Sequence, residues 1–66
     1  MNIYASDIVV EVGSYVTIPR ISDSEGVIHY GVRAYVIREA TQEEYCAQSP
    51  LMNPAYAIKF YELSLD

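Results

Sequence analysis

With 66 residues, 52% of them hydrophobic and 20% charged, the chain has room for one domain and is too apolar for a disordered segment. Its net charge is −5, and its four bases (Arg20, Arg33, Arg38, Lys59) are scattered, so no basic stripe exists for a phosphate backbone and nucleic-acid binding is not expected. One cysteine, Cys46, and one histidine, His29, exclude an intramolecular disulfide and a closed zinc site within one chain.

The opening MNIYASDIVVEV has no basic n-region, and Ser6 and Asp7 break its apolar run, so it does not read as a signal peptide. No stretch approaches the roughly 20 apolar residues needed to span a bilayer. A lone thiol fits a reducing compartment, and a cytoplasmic protein is the expectation by exclusion.

From Asp7 to Pro19 the pattern alternates. Ile8, Val10, Val12, Val16 and Ile18 share one parity, and Glu11, Tyr15 and Thr17 take the other. Period-two alternation with β-branched residues predicts strand, split in two by a bend at Gly13 and ended by Pro19. Arg20 to Gly26 reads as a hairpin loop, with Gly26 suited to positive φ. Val27 to Ala40 predicts one long strand, with Ile28, Tyr30, Val32, Ala34 and Val36 on one face, curving at Gly31.

Thr41 opens the one helical signal. T-Q-E-E matches a capping box, with Thr41 as N-cap and Glu44 at N3. Glu43 and Glu44 suit the positive end of the helix dipole. The helix is expected over about 41–48, anchored by Tyr45 and Cys46 and stopped before Pro50. Ser49 to Pro54 reads as a loop and Tyr56 to Leu65 as the last strand. In that strand Ile58 and Phe60 alternate with Lys59, and a bulge is expected at Tyr61–Glu62, where the phase slips.

The expected fold is mainly β: a small curled antiparallel sheet or barrel of four or five strands with one short helix, in a single domain over 1–66. The segments VGSYVTIP, GVRAYVIREA and AIKFYEL carry a resemblance to SH3-like barrels. That resemblance implies a fold and no ligand, because the ALYDY-like and tryptophan signatures of peptide-binding SH3 domains are missing.

His29 as a general base and Cys46 as a nucleophile are each weighed against ordinary structural roles, which are favoured. Glu43 and Glu44 sit beside Cys46 and supply no positive charge that would activate a thiol. Glu39, Glu43 and Glu44 read as solvated carboxylates, two of them with a capping role. No glycine-rich phosphate loop or serine elbow is present, so no catalytic residue, metal or cofactor is expected.

Tyrosine is the unusual count, with seven in the chain. Tyrosine suits strands, and it also dominates binding hot spots. Tyr15, Tyr35 and Tyr61 fall by parity opposite the expected core face, accompanied by Arg33 and Ile37. These five residues form the expected binding surface. A domain this small buries only about 60% of the surface its unfolded chain exposes, so self-association would support it.

The expected function is therefore a non-enzymatic interaction module, a homo-oligomer or a binder of a protein partner, similar in size to accessory products of phages or integrons. A small-molecule or enzymatic site at a subunit boundary, drawn from His29, Arg33 and Glu39, is the competing expectation.

Overall fold

The structure, a computed structural model, describes residues 2–23, 25–50 and 54–65. Four strands and one helix follow in the order β1 (Asn2–Ser6), β2 (Tyr15–Ser22), β3 (Ile28–Ala40), α1 (Gln42–Gln48) and β4 (Lys59–Leu65). They form one antiparallel sheet in the order β1-β4-β3-β2, curled into a half-barrel. The mainly β expectation with one short helix holds.

The helix starts as its sequence dictates. The Thr41 side chain accepts from the Glu44 amide, and the Glu44 carboxylate accepts from the Thr41 N–H at 3.0 Å. Ser49 closes it, one residue before Pro50. Tyr45 is buried and Cys46 half-buried.

Three strand expectations are corrected. First, residues 7–14 form no strand, and Ile8, Val9 and Val12 are exposed. The buried Ser6 hydroxyl bonds both the Ile8 carbonyl and the Ile8 N–H, which turns the chain out of β1. Gly13, at φ +88°, then delivers it into β2. Second, Pro19 does not end its strand. β2 lies at the sheet edge, where a residue without N–H costs no ladder bond, and it runs on to Ser22. The following turn is correspondingly shorter: the Asp23 carboxylate accepts from the Glu25 and Val27 amides, and Gly26 takes φ +84°. Third, β1 comes from a segment whose pattern gave no strand signal. Of the 49–54 loop, residues 51–53 lie outside the described residues.

Two irregularities in β3 set which side chains are buried. Gly31 takes φ +60°, the bend expected there. Between Val36 and Arg38 the register against β4 shifts: Val36 pairs with Leu63 and Arg38 with Glu62, leaving Ile37 without a partner in β4. The bulge expected at Tyr61–Glu62 is not there: β4 keeps its alternation through Tyr61 and Leu63, and the extra residue sits in β3. As a result Val36 packs in one core cluster and Ala40, of the same parity, in another.

The first cluster is Ile18, Ile21, Ala34, Val36, Tyr61 and Leu63, between β2 and the β3–β4 pair. The second is Ile3, Ala5, Ala40 and Tyr45, with Phe60 against it, beneath the helix. β4 is a central strand that feeds both, so neither of its parities faces only water. Arg38 ties the layers together, with ion pairs to Glu44 of the helix and to Glu62 of β4 at 2.7 Å.

Candidate functional site

The regular stretch of the β2–β3 hairpin places Tyr15 directly opposite Tyr35, and Thr17 opposite Arg33. The two tyrosine rings meet edge to face with centroids 5.2 Å apart. The Arg33 guanidinium lies 4.5 Å above the Tyr15 ring centroid. Edge-to-face rings and a stacked guanidinium are both favoured by the ring quadrupole, so each side chain restrains the next. Tyr15 is 54% exposed and Tyr35 half-buried. Among the described residues Arg33 has no carboxylate partner. Ile37, the bulged residue, is exposed further along the same strand.

Tyr61 does not belong to this surface. It is 2% exposed, in the first core cluster, and its hydroxyl accepts from the Val10 N–H at 3.0 Å. Parity alone places it outside, with Phe60 as the inward residue. On a central strand covered on both sides, both are inward.

His29, Arg33 and Glu39 do not line one groove. His29 bonds Asp23 at 2.9 Å at the β2–β3 turn, and this bond leads the forces that lower the Asp23 pKa. Glu39 pairs with Lys59 at 2.9 Å at the other end of β3, which raises the Lys59 pKa. His29 and Glu39 thus lie near opposite ends of β3, each engaged by a different partner, so the three residues do not form one site. Glu44 is held at a pKa of about 2, chiefly by Arg38 and then by the Thr41 amide. A carboxylate so firmly ionised is a structural ligand of Arg38 and no proton donor near neutral pH.

The half-barrel leaves a seam between its edge strands β1 and β2, and a cavity of about 420 Å³ opens there. Ile3, Ala5, Ile21 and Ile28 give it apolar walls, and Tyr4, Tyr45 and Tyr56 bring hydroxyls. Arg20 and Asp7 are its charged, exposed residues. Burial and the nearby Asp7 raise the Tyr4 pKa, so that hydroxyl keeps its proton. Residues of β1, β2, β3, the helix and the 54–58 segment meet here, and only the folded topology could reveal them.

No protein-family model, no curated protein and no solved structure matches this chain.

Proposed function

We propose that the protein is a non-enzymatic interaction module of the cytoplasm, built on an SH3-like half-barrel, that associates with a second copy of itself through the outer face of the β2–β3 hairpin. The observation that carries this reading is the Tyr15–Tyr35 pair with Arg33 stacked on it. Rigid tyrosines and arginine are the residues that contribute most at protein interfaces, and restraining them beforehand lowers the entropy lost on docking. Ile37, exposed on the same strand, adds apolar area. Arg33 has no ion-pair partner among the described residues of a chain of net charge −5, so a second copy offers it carboxylates. The core divides into two small clusters, and burying this face would add the apolar area they lack.

Multi-angle light scattering tests the reading. The wild-type chain is expected to show a mass rising toward the dimer with concentration, and Tyr15→Glu to weaken association by about thirtyfold or more. A wild type that stays monomeric, or a folded Tyr15→Glu variant that associates unchanged, overturns it.

A further inference from the structure

The seam cavity is lined by exposed charges of both signs, Arg20 and Asp7. They do not pair with each other, and neither has an ion-pair partner among the described residues. Between them lie isoleucine walls and tyrosine rings. A cavity of about 420 Å³ lies within the usual span of small-molecule sites, roughly 300–1,000 Å³.

An inserted strand is a poor occupant. Gln48 holds the outward backbone groups of Ile3, accepting from its N–H at 2.9 Å and donating to its carbonyl at 3.2 Å. Across the seam, Pro19 interrupts the N–H row of β2. Strand addition needs those rows open.

We infer that this cavity binds a free α-amino acid with an apolar or aromatic side chain. Arg20 meets the ligand carboxylate, for which a guanidinium offers a two-pronged match. Asp7 meets the ammonium group. The side chain lies against Ile3, Ile21 and Ile28. Tyr4, Tyr45 and Tyr56 line the same cavity and can offer hydroxyls to the ligand. A ligand with only one charge would leave either Asp7 or Arg20 unanswered, which is why the zwitterion is favoured over a simple acid or amine. The inference does not rest on self-association through β2–β3.

Titration calorimetry with L-phenylalanine as probe tests it. Saturable binding to the wild-type chain is expected. N-acetyl-L-phenylalanine, which lacks the ammonium, and L-phenylalaninamide, which lacks the carboxylate, should each bind about tenfold or more weakly. Arg20→Met and Asp7→Asn should weaken L-phenylalanine by a similar factor, while Tyr15→Glu leaves it unchanged. Absence of saturable heat up to about 10 mM L-phenylalanine overturns the inference. So does equal binding of either blocked derivative, a result read on the wild-type chain and independent of whether the variants fold.

Discussion

Glu44 does two jobs with one carboxylate: it completes the helix cap by accepting from the Thr41 N–H, and it pairs with Arg38. These contacts hold its pKa at about 2, below the ordinary glutamate value of 4.5. A group whose pKa is lowered by folding stabilises the fold above its unfolded pKa and loses that contribution as pH falls toward the folded one. The melting temperature should therefore drop as pH is lowered from about 4.5 to about 2, and Glu44→Gln should flatten that part of the profile in thermal melts followed by circular dichroism. Thr41→Ala removes the reciprocal partner and is expected to cost about 1 kcal/mol in denaturant unfolding. This cap was fully legible in the sequence, because capping is local: residues three apart decide it. Tyr61 was not legible, because its burial depends on two strands and a loop far along the chain. Tyr61→Phe keeps the ring in the core but strands the Val10 N–H, and should cost about 1–3 kcal/mol by the same measurement.

Strand β3 shows why alternation predicts faces only in stretches. Between Gly31 and Ile37 the pattern runs true: Ala34 and Val36 point into the core, while Arg33 and Tyr35 point away from it. The three residues of the candidate surface that meet, Tyr15, Arg33 and Tyr35, all come from this regular segment and its partner, which is why the sequence could find them. Beyond either irregularity the expectation breaks. Tyr30 and Ile28, grouped by parity with Val36, are exposed on the far side of Gly31. Ala40, of the same parity again, has moved to the helix side past Ile37. A glycine announces a possible bend, but nothing local announces an extra residue at Ile37, since a bulge is a relation between two strands. The bend itself has a measurable backbone cost. A Cβ at Gly31 would meet no atom within 4 Å, so Gly31→Ala probes the left-handed conformation alone and should destabilise by about 1–2 kcal/mol. If the melt is unchanged, the curl of β3 does not need φ +60° at this position.

At the scale of the molecule, a four-stranded half-barrel leaves two edges, and an open edge invites pairing with another chain. Each edge here carries a different guard. In β2 it is Pro19, a covalent feature that cannot be displaced. In β1 it is Gln48, a side chain from the helix that imitates a neighbouring strand at Ile3. The second guard works only while the helix is docked, so edge protection and helix docking are coupled. Gln48→Ala should have two separable effects. Loss of the bonds to Ile3 should lower stability by about 1–2 kcal/mol in urea unfolding. The bared N–H and C=O of Ile3 should also promote slow, concentration-dependent assembly through β1, seen as rising light scattering below the melting temperature. That assembly differs from association through the tyrosine face, because it should survive Tyr15→Glu in the double variant. If Gln48→Ala is destabilised yet stays as dispersed as the wild type, the β1 edge is protected by the covering helix as a whole, and the glutamine contributes only two ordinary hydrogen bonds.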